Sequence, residues 1–109
     1  MNNGLTEEGK KRLGRFVKEA YRNRDMSQLE FATWLTEITG IEVGESQVRT
    51  LVDGNWKYSL HFNVLFALDQ SEALKSPETG ASYSFGDIAD ILRGRLDPFT
   101  GKALQEQVK

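Results

Sequence analysis

Helix-start and helix-stop residues follow one another along this chain so closely that no long element fits between them. Ser27 and Glu30 stand three apart at the head of an apolar run, Gly40 and Gly44 flank "IEV", Gly54-Asn55 closes the next run, and Ser84 and Gly94 enclose another. Serine three residues ahead of glutamate is a capping box, in which the hydroxyl oxygen accepts an orphan backbone N–H and the glutamate reaches back. Glycine after an apolar run suits the left-handed residue that ends a helix. A chain divided in this way buries its apolar side chains by stacking short helices.

The apolar spacing supports that division. Leu13, Phe16, Val17, Ala20 and Tyr21 form the stripe of an amphipathic helix over 8–23. From the capping box to Gly40 a second helix turns Leu29, Phe31, Ala32, Leu35 and Ile38 inward. A third, about 45–54, buries Val48, Leu51 and Val52 and leaves Gln47, Arg49 and Thr50 outside. A fourth, near 60–74, offers Phe62, Leu65, Phe66 and Leu68, and a fifth, Phe85 to Arg93, offers Phe85, Ile88, Ile91 and Leu92. Between them "KSPETGAS" (75–82) is a loop by its proline, glycine and serine content. "GIEV" and "NWKYSL" are too short and isolated to imply a sheet of several strands.

With 109 residues, 39% of them apolar, the chain has material for one core. The expected fold is all-α: a compact bundle of about five short helices in a single domain over 8–95. Residues 1–7 are expected to be flexible, as is a C-terminal tail over 96–109, where the sequence turns polar and periodicity is lost.

Composition narrows the function classes. No cysteine is present, which removes disulfides, thiolate metal sites and cysteine nucleophiles. His61, the only histidine, has no clustered second ligand, so neither a metal site nor a cofactor is expected. Asp87 and Asp90 are neighbours on the fifth helix, a spacing open to paired-carboxylate chemistry, but a favourable charge in the first helical turn accounts for Asp87 and solvent exposure for Asp90. No phosphate-cradling glycine pattern or nucleophile elbow occurs, so an enzyme is not expected. There is no basic leader followed by an apolar run and no stretch of membrane-spanning length, which points to a cytoplasmic protein without a membrane partner.

The net charge of −2 differs from that of proteins that coat nucleic acid, which are strongly basic. It is unevenly spread. Residues 1–24 hold seven cations against three acids, a balance of +4, and the other 85 residues carry −6. Such asymmetry gives an acidic protein one basic face.

"SQLEFATWL" resembles the opening of the helix-turn-helix in lambda-repressor/Cro-like (XRE-type) DNA-binding domains: Ser27 and Gln28 match the Ser/Thr-Gln that begins helix two, and Ala32 matches the alanine one turn in. "ESQVRTLVDGN" is similar to that family's recognition helix, with Val48 at the buried aliphatic position, Asp53 near the acidic one and Gly54 as closing glycine. The resemblance covers about residues 10–70. One departure is clear: Ala32 and Val48 are sixteen positions apart, so "TGIEVG" makes the turn between helices two and three larger than the family's.

The resemblance implies sequence-specific binding of double-stranded DNA and transcriptional regulation, with the third helix in the major groove. Ser46, Gln47, Arg49 and Thr50 are then the base-reading candidates: Gln47 suits the N6/N7 edge of adenine and Arg49 the O6/N7 edge of guanine. Gln28, Arg12, Arg15, Arg22, Arg24 and Lys57 are candidates for phosphate. Glu42 and Glu45 oppose this reading, since carboxylates repel a phosphate backbone. Such readers often occupy paired half-sites, which makes a homodimer an expectation. The rival expectation is a helical module that retains the fold and binds a protein partner through its acidic surface or its fifth helix.

Overall fold

The computed structural model describes residues 4–54 and 62–104. Within them the order is α1 (Glu7–Asn23), α2 (Gln28–Thr39), α3 (Glu45–Asp53), α4 (Phe62–Ser71), α5 (Phe85–Leu92), β1 (Leu96–Asp97) and β2 (Lys102–Ala103). The described residues are thus mostly helical, in short pieces, around one core.

Helices α1, α2 and α5 begin where a side chain satisfies an orphan amide. Thr6 Oγ1 accepts from Gly9 N at 2.8 Å to start α1. The capping box of α2 closes on both sides, Glu30 N to Ser27 Oγ at 3.1 Å and Ser27 N to Glu30 Oε1 at 2.8 Å. Ser84 and Asp87 make the same reciprocal pair at the head of α5, at 3.1 and 3.0 Å. Gly40 and Gly54 end α2 and α3 in the left-handed region, with φ of 75° and 67°.

Packing is organised by α1, whose buried line includes two glycines that apolar periodicity does not reveal. A Cβ at Gly9 would lie 2.3 Å from the Leu92 carbonyl oxygen, and one at Gly14 would lie 2.3 Å from that of Val52. The C-terminal ends of α5 and α3 therefore rest directly on the α1 backbone. The Leu92 carbonyl also accepts the Thr6 N–H at 3.0 Å, so a chain end that would lack a partner within its own helix finds one in the next. Leu13 and Val17 of α1, Phe31 and Leu35 of α2, Val48 of α3, Leu68 of α4 and Ile88 and Ile91 of α5 meet in the interior.

Four apolar residues expected inside lie outside. Leu29 and Ile38 are each 55% exposed. The buried face of α2 is only Phe31, Ala32 and Leu35; Leu29 is turned well away from it, and Ile38 lies in the last turn, past the elements that cover the rest. Phe62 and Phe66 are 54% and 45% exposed, because α4 buries Val64, Leu65, Ala67 and Leu68, and the two phenylalanines share the opposite side.

Beyond residue 95, where a flexible tail is expected, the chain instead pairs into an antiparallel hairpin, Leu96 with Ala103 and Asp97 with Lys102. Its turn is held by Asp97, whose Oδ1 accepts from Phe99 N at 3.0 Å and whose carbonyl accepts from Gly101 N at 2.8 Å. Pro98 is buried, Tyr83 Oη donates to its carbonyl at 3.0 Å, and Phe99 meets Phe16 edge-to-face at 5.3 Å. The 75–82 loop carries an isolated bridge, Lys75 to Ser82, and is braced by the buried Ser76, whose Oγ accepts from Glu78 N at 3.2 Å. The start of the fourth helix at 60–61, residues 1–3 and residues 105–109 lie outside the described residues.

Gly14→Ala should destabilise the protein by about 1–3 kcal/mol in thermal or urea unfolding. Elsewhere in a helix that change adds stability through alanine's higher propensity, so a neutral result would mean that the α1–α3 contact is looser than described. Burial raises the phenol pKa of Tyr83 and of Tyr21 above the ordinary 10.0. The raised folded value makes this contribution complete below pH 10 and lost as pH rises through 10 toward the folded value. Ultraviolet titration should therefore show both phenols ionising late, together with alkaline unfolding.

Candidate nucleic-acid interface

The turn between α2 and α3 spans residues 40–44 and is braced from within. Thr36 Oγ1 accepts from Val43 N at 2.9 Å and lies 3.0 and 3.1 Å from the carbonyl oxygens of Ala32 and Val43. Thr39 Oγ1 adds a bond from Ile41 N at 3.0 Å. Val43 is buried, which anchors the middle of the turn in the core. The turn is thus a structured connection, with the N–H groups of Gly40, Ile41, Val43 and Gly44 all bonded.

The head of α3 is pinned by amides. Gln47 Oε1 accepts from Gly44 N at 2.9 Å and from Asn63 Nδ2 at 3.1 Å, while Gln47 Nε2 donates to Asn63 Oδ1 at 3.3 Å. Asn63 Nδ2 also reaches the Glu42 carbonyl at 2.9 Å. Gln47, expected to face a base edge, spends its hydrogen-bonding groups on the α3 N-terminus and on α4. At the far end, a Cβ at Gly54 would stand 3.3 Å from Lys11 Cα, so α3 is gripped by α1 there as well.

Between those two holds the outer side of α3 presents Ser46 and Arg49, both exposed, and Thr50, half-buried. Arg49 lies 3.5 Å from Glu45, a surface pair one turn apart that contributes little and leaves the guanidinium able to swing away. Glu42 is exposed in the turn. Gln28, half-buried, opens α2 immediately after its cap.

The remaining cations divide into two groups. Arg12 pairs with Glu8 at 3.8 Å, and Arg24 lies over the Trp34 ring at 4.4 Å. Trp34 in turn stacks on Phe31 at 5.8 Å, so that arginine covers a corner of the core. Arg15 and Arg22 are exposed and form no ion pair among the described residues. Lys57 lies outside the described residues, as do Trp56, Tyr58, Ser59 and His61.

No family model, curated protein or solved structure matches the chain. The site is read from its own geometry. Asp87 caps α5 through Ser84 N and Asp90 lies 3.6 Å from Arg93, so the two carboxylates serve separate structural contacts. Among the described residues no group of three His, Asp or Glu side chains is placed to hold a metal, and no helix is long and apolar enough to cross a membrane.

Sequence reasoning passes over Thr36 and Asn63, which fix the pose of α3. Thr36 carries a local signal, a polar residue one turn after Ala32 on the inner half of α2. Asn63 carries none, since its partners lie 16 and 21 residues away.

Gln47→Ala should lower stability by about 1–2 kcal/mol, because it removes a cap partner and leaves Asn63 with only the Glu42 carbonyl. Arg49→Ala should leave the melting temperature unchanged. Thermal unfolding of the two variants side by side checks the division; equal melting temperatures would remove Gln47 from the scaffold.

Proposed function

We propose that this chain is a lambda-repressor-type helix-turn-helix domain that binds duplex DNA and regulates transcription, with α3 in the major groove. The observation that carries the reading is α3 itself: pinned at its start by Gln47 and Asn63 and at its end by Gly14 and Lys11, it leaves Ser46, Arg49 and Thr50 on an outer side that the core does not use. A helix fixed at both ends with polar side chains outward meets the positioning demand of base readout. Arg49 is the principal reader, by a bidentate contact to guanine, with Ser46 and Thr50 as adaptable donors and acceptors. Gln28 and the amides at the start of α2 suit a phosphate, as do Arg15 and Arg22. Arg12 and Arg24, already engaged with Glu8 and Trp34, are secondary candidates.

A second reading has its own support. Phe66 stacks on Phe85 at 4.7 Å, and Phe62 lies 6.4 Å from each, so exposed aromatic surface continues across α4 and α5. Beside it is a groove of about 240 Å³ lined by Leu5, Leu65, Ala89, Leu92 and Arg93. Exposed rings of this kind favour a protein-interaction module, whose occupant is a second copy or another protein.

Titration of the isotope-labelled protein with a duplex at low salt, followed at backbone amides, separates the two. Shifts at Gln28 and at Ser46 to Thr50 are expected; their absence turns the assignment to the aromatic surface. On a selected site, Arg49→Ala should cost about 1–3 kcal/mol of binding and relax preference at one base pair. Unchanged affinity would remove Arg49 as a reader.

A further inference from the structure

Lys11, Arg15, Lys18 and Arg22 recur at spacings of four, three and four along α1, all exposed and without an ion pair among the described residues. Like charges at those spacings are neighbours on a helix surface and repel one another, so the row weakens the helix that carries it. Lys11 has a structural use, since its backbone and the base of its side chain pack against Gly54 at the end of α3. Arg22 stands in the last turn of α1, where a cation suits the helix dipole, while Arg15 and Lys18 make no ion pair among the described residues. All three line a cleft of about 370 Å³ with Glu19, and its other wall is Phe99, carried there by the C-terminal hairpin and seated on Phe16.

We propose that the outer face of α1 and the tip of the hairpin form a track for the sugar–phosphate backbone of duplex DNA, in which Arg15, Lys18 and Arg22 hold phosphates and Phe99 is the apolar wall against deoxyribose. From residue 15 to residue 22 the helix advances about 10 Å, enough for the long side chains of the row to reach successive phosphates of one strand. Three cations against the single carboxylate of Glu19 leave the cleft positive. This inference rests on the DNA-binding reading of α3 and extends it: α1, whose Gly14 and Lys11 receive the end of α3, adds grip that is blind to sequence. The reader helix then supplies selectivity while the acidic remainder of the chain, which carries −6 against the +4 of residues 1–24, stays off the duplex.

The test is fluorescence anisotropy of a labelled duplex of arbitrary sequence, titrated with the full chain at graded salt. Wild type is compared with Arg15→Gln/Lys18→Gln and with Glu19→Gln. The double variant should bind at least tenfold more weakly at low salt, and its log–log salt slope should fall by about 1.8, the release expected for two phosphates. Glu19→Gln should bind about two- to threefold more tightly by removing a repulsive charge, a gain that no folding defect imitates. If wild type binds and both variants match it in slope and affinity, the track is wrong and the phosphate grip passes to Gln28 and the amides at the start of α2. If wild type fails to bind at the lowest salt, both the track and the DNA-binding reading fall.

Discussion

Helix α1 is met at Gly9 and at Gly14 by the C-terminal ends of α5 and α3, close enough that neither position has room for a methyl group. The placement of α3 and α5 on α1 depends on those two contacts. They bring the C-terminal ends of two helices onto α1, where the N–H of Thr6 answers the Leu92 carbonyl of α5. They also set the directions in which α3 and α5 leave α1, and so the walls between which Phe31, Leu35, Val48 and Ile88 fill the interior.

The pose of α3 depends on a second, polar set of contacts. A turn of residues 40–44 would leave the following helix free to swing, were it not for the Thr36 hydroxyl under Val43 and the Asn63 amide across Gln47 and Glu42. Both sets use side-chain groups to satisfy backbone or amide atoms that the turn would otherwise leave open. The apolar contacts position the far end of the helix and the polar ones its near end.

Helix existence and helix ends were legible in the sequence because their causes are local. Ser27 with Glu30, Ser84 alone, and the glycines at 40 and 54 act within one turn of themselves, and the helices begin and end where these residues say. Which side faces inward was less legible. Phe62 and Phe66 look like core by hydrophobicity, yet Val64, Leu65 and Leu68 hold that side of α4, and the rings find Phe85 instead. The hairpin escaped because two-residue strands have no periodicity to detect, although Asp97-Pro98 and Gly101 are turn residues. At the candidate interface, exposure of Ser46 and Arg49 follows from the stripe opposite them, whereas the engagement of Gln47 depends on a partner sixteen residues away. A helical wheel cannot express that distance.

The two glycine contacts also limit how this chain can change length. Gly9 and Gly14 are five residues apart, about 7.5 Å and 140° around the helix. Inserting or deleting one residue between them would turn one contact about 100° away from the helix end that it receives. No rotation of α1 restores both at once. The first two turns of α1 therefore behave as a fixed frame, while the connection at 75–82 can gain or lose residues without changing the separation of the two contacts.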